Sequence, residues 1–348
     1  MTAVRDEIFP SYQAKQAEID AAWERLERRL ASLPSPLRAL STQFLQTIAV
    51  STGSHRTYFS NPVAPPLLYM PLWLRDGLWH TTSSASKLDP QTIVHILAAT
   101  MQGYIGIRLQ DDVLDEPLVT NPNLLLLGNT FFSGMIIELS RVMGRDAESL
   151  WPALDRAIVD FSHRTLAERE QVLKDEPYTL ETFIEHADKV AFARIPLLAI
   201  AVLVGRMDLE DGIRALIHRL GVAYGLANDV LGWLRDVRSG QRTRLLAQAG
   251  FTRQTWSLLH SIPEGAQRDA AITTYLNDLR AQLYDKRLLR DTIGQAIAEH
   301  RQAQELARGI GLVGFDDFTD ERIAWLERLD RQTMLMTLQR VLLANPGR

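Results

Sequence analysis

An all-α fold follows from three features of the sequence. Nearly every long segment repeats its apolar residues at helical intervals. No segment alternates apolar and polar residues as a half-buried strand would, and the breaks are short and rich in Pro, Gly and Asn. The 348 residues, 46% of them hydrophobic, suffice for a large core. With no tandem repeat and no low-complexity linker, a single domain over 1–348 is expected, a bundle of about ten to twelve helices.

Taken in order, helices are expected over 11–32 and 36–51, separated by LPSP at 33–36, and over 66–80 after SNPVAPP at 60–66. The next, over 90–116, closes at EPLVTNPN (116–123) and is followed by helices over 128–143, 147–172 and 179–204. A helix over 209–238 stops at RSGQ (238–241). The remainder is expected at 252–261, 267–307 and 318–343, the last two parted by GIGLVGFDD (309–317). Residues 124–142 and 190–205 are apolar on most faces and read as central helices.

Composition removes several kinds of function. A net charge of −4 offers no basis for nucleic acid or an anionic membrane as partner. The absence of cysteine excludes disulfides, thiolate metal sites and cysteine catalysis. The N-terminal residues lack the apolar core of a signal peptide, and the longest apolar run, 195–205, is too short to cross a bilayer. A cytoplasmic protein without an integral membrane segment is the expectation. No H-E-x-x-H motif, Gly-rich phosphate loop or Ser-His-Asp arrangement stands out.

What does stand out is acid. The stretch IRLQDDVLDEP (107–117) places Asp111, Asp112 and Asp115 at a helix C-terminus, where carboxylates oppose the macrodipole and one another. Asp111 and Asp115 share a face with Thr100, Tyr104 and Ile107. Arg108 can pair with Asp111 or Asp112, but one arginine does not balance three acids. Hard divalent cations take carboxylate oxygens, and magnesium completes its shell with water and phosphate. A similar pattern, DDFTD at 316–320, reads differently. Asp316 and Asp317 follow a Gly-rich loop, Thr319 is expected as an N-cap, and Asp320 and Glu321 fall in the first turn, where acid stabilises.

A second oxygen-rich segment lies in LGVAYGLANDVLGWLRDVRSG (220–240). Asn228, Gly232 and Asp236 follow at i, i+4 and i+8, within about 80° of arc. Asn228 and Asp236 can offer oxygens to a cation, and Gly232 leaves room for a water. Gly221, Tyr224 and Gly225 continue that side, either opening space beside the helix or permitting close packing.

These two segments, in an all-helical chain, resemble the class I isoprenoid synthases, which include trans-prenyltransferases and terpene cyclases. The first motif, D-D-x-x-D, is matched by Asp111, Asp112 and Asp115, and the cyclase second motif by Asn228, Gly232 and Asp236. LGVAYGLANDVLG is also similar to the second prenyltransferase motif, with Asn228 and Asp229 at its aspartate pair and Gly232 in place of its third aspartate. HADKVAFARIPLL (186–198) is similar to the helix whose lysine contacts the diphosphate, the position of Lys189. The matched pieces run from about 95 to 245. Three departures appear. The arginine pair that elongating enzymes carry after the first motif is absent from EPLVTNPNLLLL, and the last tyrosine is Tyr284, so no C-terminal Arg-Tyr pair exists. Thr182 stands where cyclases place an arginine, a task left to Arg194 or Lys189.

The resemblance implies a class I terpene synthase that ionises an allylic C15 or C20 prenyl diphosphate with magnesium, three ions when diphosphate is bound. The alternative is a prenyltransferase joining the allylic group to an acceptor, or a catalytically silent partner subunit of the same fold. Metal ligation falls to Asp111, Asp112, Asp115, Asn228, Gly232 and Asp236, with Asp111, Asp115, Lys189 and Arg194 catalytic. Tyr104, Arg108, Lys189, Phe192, Tyr224, Arg235 and Arg242 are expected against the substrate, with Phe132 as a further lining residue. Arg235, Arg238, Arg242 and Arg244 are either diphosphate donors or ordinary cations at a helix C-terminus. A homodimer is compatible with this reading.

Overall fold

The computed structural model describes residues 8–50, 53–79, 81–82, 84–115 and 121–344, and among these there is no strand. The chain opens with α1 (Pro10–Gln13), α2 (Gln16–Ala31), α3 (Ser35–Val50) and α4 (Tyr69–Trp79). Then come α5 (Pro90–Asp115), α6 (Leu124–Met143) and α7 (Ala147–Leu173). They are followed by α8 (Leu180–His186), α9 (Ile195–Leu203), α10 (Glu210–Arg238), α11 (Arg244–Gln248) and α12 (Arg253–Ser261). The last three are α13 (Ala266–Asp285), α14 (Leu288–Gly309) and α15 (Phe315–Ala344).

Three expectations about helix limits change. The helix expected over 179–204 is interrupted, because residues Ala187–Arg194 wind as a 3-10 helix between α8 and α9. Pro196, in the first turn of α9, cannot donate to residue 192 and would clash with its carbonyl inside a continuous α-helix. The helix expected over 267–307 breaks at Arg287, whose φ of 59° lies in the left-handed region. Finally, α15 begins at Phe315, so Thr319 is not an N-cap. It is fully buried and donates to the Phe315 carbonyl at 2.9 Å, while Asp316 and Asp317 occupy the stabilising first turn.

The chain divides into two compact units, Met1–Val159 with Ala191–Ile217 and Gln304–Glu321, and Asp160–Val190 with His218–Ala303 and Arg322–Arg348. The divisions fall inside α7, the 3-10 segment Ala187–Arg194, α10, α14 and α15. In the first unit every residue of α9 is buried, as a central helix requires. α5 buries Ile93, Ile96, Leu97, Met101, Ile105 and Leu109. Gly103 and Gly106 notch this helix. A Cβ at Gly103 would lie 2.8 Å from the Met135 sulfur and 3.0 Å from Phe192, and one at Gly106 3.1 Å from Phe132. A second nest joins Tyr12, Tyr69, Trp73, Phe315 and Phe318, with Tyr12 stacked on Tyr69 at 3.7 Å.

The expectation that 124–142 is central holds for only half of α6. Leu127, Phe131, Met135 and Leu139 are buried, whereas Leu125, Leu126, Ile136 and Ile137 are exposed. In the second unit α10, α13, α14 and α15 bury Leu220, Leu226, Leu279, Leu283, Ile293, Trp325 and Leu329.

Candidate active site

In the first unit, α5 carries Tyr104, Arg108, Asp111, Asp112 and Asp115 along its last three turns. Tyr104 shares a 2.7 Å hydrogen bond with the Tyr58 hydroxyl. Burial first, and Tyr58 second, push the Tyr104 phenol well above its ordinary pKa, so it stays neutral. Arg108 pairs with Asp112 at 2.9 Å, one of the two partners expected for it. This partly exposed i,i+4 pair contributes little to stability and leaves its carboxylate within reach of water. The side chain of Asp115 lies outside what the structure describes, as do residues 116–120. Phe132 and Phe192 meet edge to face at 5.7 Å and fill the glycine notches of α5, a packing role. Arg194 is buried and forms the N-cap of α9.

In the second unit, Gly221 and Gly225 do not open space beside α10. A Cβ at Gly221 would stand 2.7 Å from the Ala187 carbonyl oxygen and from Val190, and one at Gly225 2.8 Å from Phe183. The two glycines let α8 and the 3-10 segment lie directly on α10, which sets Lys189 in place. Thr179 starts α8 by accepting from the Thr182 amide at 3.1 Å, so Thr182 serves helix initiation. Lys189 donates to both carboxylate oxygens of Glu168, at 2.7 and 2.6 Å. His218 and Asp188 pair next to it at 3.1 Å.

The acids of α10 are arranged differently from the expected row. Asn228 is exposed, while Asp229 and Asp236 are buried. Seven residues bring a helix almost back to the same azimuth, so Asp229 is closer in phase to Asp236 than Asn228 is. Burial raises the Asp229 pKa to about 7, with Asp236 adding to the rise and the Leu245 amide, at 3.4 Å, opposing it. Asp236 accepts from Arg235 Nε at 2.9 Å and Nη2 at 2.8 Å. The gap at Gly232 is covered by that guanidinium. A Cβ there would sit 2.5 Å from Arg235 Nη2 and 3.1 Å from Asp236 Oδ2.

The basic run separates into two kinds. Arg235 and Arg238 are exposed, and Arg242 and Arg244 are buried. Arg242 donates to the carbonyls of Phe251 and Lys174 and lies 3.6 Å from Asp175, which itself accepts from the first amides of α12. Arg242 is thus a clamp between chain segments. Arg244 stands in the field of Asp229 and Tyr178, and burial lowers its pKa. Tyr224 packs edge to face with His300 at 5.4 Å and beneath Arg322 at 4.7 Å. Sequence reasoning passed over Glu168 and Tyr178, which carry no local signal. Asp229 was legible in the i,i+7 phase.

No protein-family model matches the sequence, and no curated protein matches it. Solved structures do. A polyprenyl synthetase from Streptomyces coelicolor A3(2) superposes with a TM-score of 0.65 at 16% identity, over 89% of this chain and 97% of that one. The fold is that of the isoprenoid synthases. A geranylgeranyl pyrophosphate synthetase from the archaeon Geoglobus acetivorans gives 0.62 at 17% identity, over 90% of this chain and 98% of its own. A polyprenyl synthase from Caulobacter crescentus CB15, complexed with calcium and isoprenyl diphosphate, gives 0.63 at 14%, over 92% and 99%. Among the described residues of this isoprenoid synthase fold, no helix is long and apolar enough to span a membrane.

Proposed function

We propose that this protein is a prenyltransferase-type enzyme that ionises an allylic prenyl diphosphate and passes the prenyl group to an acceptor. The observation that carries the proposal is the isoprenoid synthase fold over about nine-tenths of the chain, shared with prenyl diphosphate synthases. This reverses the order of preference drawn from the motifs, which put a cyclase first.

The donor set suits a hard cation. Among the described residues no three His, Asp or Glu side chains gather into a complete cage. Magnesium does not need one, since it commonly uses one or two carboxylates and takes the rest of its shell from water and phosphate. Asp111, Asp112 and Asp115 would supply oxygens in the first unit, and Asp229 and Asp236 in the second. Asn228 is a further donor from the exposed side of α10. The buried Asp229 carboxyl, whose pKa is raised by burial and further by Asp236, gains from an added positive charge. When bound, magnesium supplies Lewis-acid stabilisation of the charge growing on the diphosphate oxygens. Lys189 would exchange Glu168 for a diphosphate oxygen, and Arg194 would add a fixed positive charge in the first unit. The neutral Tyr104 phenol offers an aromatic surface that neither attacks nor deprotonates an allylic cation.

The acceptor in this proposal carries no diphosphate of its own, because residues 116–127 contain no arginine to hold a second one. The same absence favours a second reading, a cyclase that needs no acceptor. Incubation with C10, C15, C20 and C25 diphosphates and magnesium, with and without isopentenyl diphosphate or an aromatic acceptor, separates them by mass spectrometry. Consumption that depends on the aromatic acceptor supports prenyl transfer as proposed, consumption that depends on isopentenyl diphosphate keeps prenyl transfer but overturns the diphosphate-free acceptor, and a hydrocarbon or alcohol formed from the allylic diphosphate alone identifies the cyclase. No diphosphate release under any condition overturns both and leaves the silent partner subunit. We place the protein in the cytoplasm on the same reading.

We also propose a homodimer through α6. Its exposed Leu125, Leu126, Ile136 and Ile137 belong to a run, Leu124–Ile137, without one charged residue. A second copy can cover that face without burying a charge, and self-pairing suits a two-fold axis. Sedimentation of Ile136→Lys reads the result. A dimer undisturbed by this charge refutes the interface.

A further inference from the structure

Beyond Leu329, α15 reverses the polarity expected of a helix that lies on a core. Up to that point its inward stripe is apolar, with Trp325, Leu326 and Leu329 all buried. One turn later the inward position is Thr333, buried and donating to the Leu329 carbonyl at 3.0 Å. The half-buried Thr337 follows and donates to the Thr333 carbonyl at 3.0 Å. The large apolar side chains face the other way. Met334, Leu335 and Leu338 are 37%, 55% and 51% exposed. At 100° per residue they fall, together with the exposed Arg331, within about 100° of arc on the side opposite that inward stripe. Water gains nothing from a helix that turns Thr inward and Leu outward. Isolated exposed apolar residues are ordinary, but three adjoining ones on one face mark a surface that something covers.

Charge indicates what covers it. Residues 331–348 contain three arginines and no Asp or Glu, although the whole chain carries −4. The acid just before them, Asp330, is taken up by Arg290 at 2.8 and 3.0 Å. The sequence then continues with Val341, Leu342 and Leu343. A second copy seated on this face about a two-fold axis would bring Arg331 toward its own image, with no acid in 331–348 to receive it. An anionic bilayer surface accepts both parts of the face. Arginine heads reach the lipid phosphates while Met and Leu enter the boundary between headgroups and acyl chains. We propose that the outward face of α15 from Arg331 to Leu338 docks on an anionic lipid surface, the helix lying in the interface without spanning it. None of these residues belongs to the metal or diphosphate groups above, so the proposal stands whether or not the enzyme reading does.

Co-sedimentation of the full chain with vesicles tests it, using phosphatidylcholine alone and phosphatidylcholine with about one-third phosphatidylglycerol. The wild type should partition at least about tenfold more strongly onto the anionic vesicles, and less so as salt is raised. The double variant Leu335→Glu, Leu338→Glu should lower that partition at least about tenfold with an unchanged circular dichroism spectrum. Arg331→Gln, at an exposed position, should lower it about fivefold, and it keeps the test decisive if the double variant fails to fold. A wild type that stays in solution with both kinds of vesicle overturns the proposal. So does undiminished partition of the folded double variant or of Arg331→Gln. Sedimentation velocity without vesicles completes the test. A wild-type oligomer that dissociates in the double variant assigns the face to a second copy and also overturns the lipid reading.

Discussion

Replacing Asp229 with Asn should stabilise the metal-free protein at alkaline pH and leave it unchanged in acid. Burial carries this carboxyl from an ordinary 3.8 to about 7. A raised carboxyl pKa means that the folded state holds the proton more tightly than the unfolded chain. The stabilisation from that proton is complete below about pH 4 and is lost as the pH climbs to about 7. At roughly 1.4 kcal/mol per pH unit, three units of separation put the cost of an ionised Asp229 near 4 kcal/mol, an upper figure that relaxation lowers to about 2–4. Asparagine can still accept from the Leu245 amide and carries no charge beside Asp236. Urea unfolding with chelator at about pH 4 and about pH 8 measures the difference between wild type and variant. A variant equally or less stable than wild type at the higher pH would show that Asp229 is not a strained carboxylate. The same variant should bind magnesium and pyrophosphate far more weakly, since the stabilising change removes a ligand.

Three further outcomes follow from named contacts. Asp111→Asn should lower turnover of an allylic diphosphate by about 10²-fold or more with an unchanged circular dichroism spectrum and melting point, and undiminished turnover would remove Asp111 from the site. Gly221→Ala should cost about 1–3 kcal/mol of stability despite alanine's better helix propensity, because its methyl group meets the Ala187 carbonyl at 2.7 Å. Calorimetry reads this, and a neutral or stabilised variant would show that the 3-10 segment is free to retreat. Lys189→Met should change stability by no more than about 1 kcal/mol, since its pair with Glu168 is partly exposed. It should also raise KM for the prenyl diphosphate, and an unaltered KM would confine Lys189 to that ion pair.

The helical class was plain in the sequence because periodicity is a local property, written wherever an apolar stripe faces a core. Breaks with Pro or Gly punctuation were also legible, at 33–36 and 309–317. The break at Arg287 was not, since no special residue marks it and tertiary packing holds an arginine in the left-handed region. The short α11, opened by Thr243 accepting from the Leu246 amide, escaped for a similar reason, five residues being too few to show a period. The candidate site was readable as far as oxygen-bearing residues on α5 and α10. Burial reassigned its members, placing Asn228 outside and Asp229 inside.

By itself the sequence determined that the chain is helical and that the helix ending in Asp111, Asp112 and Asp115 carries acid against the expected polarity, because both depend on neighbours three or four positions away. Only the tertiary structure decided that Gly221 and Gly225 receive a packed segment rather than leave space, that Lys189 meets Glu168 and that Asp229 is driven toward neutrality. Those outcomes depend on which groups distant in the chain exclude water from one another, and desolvation is a property of the assembled interior.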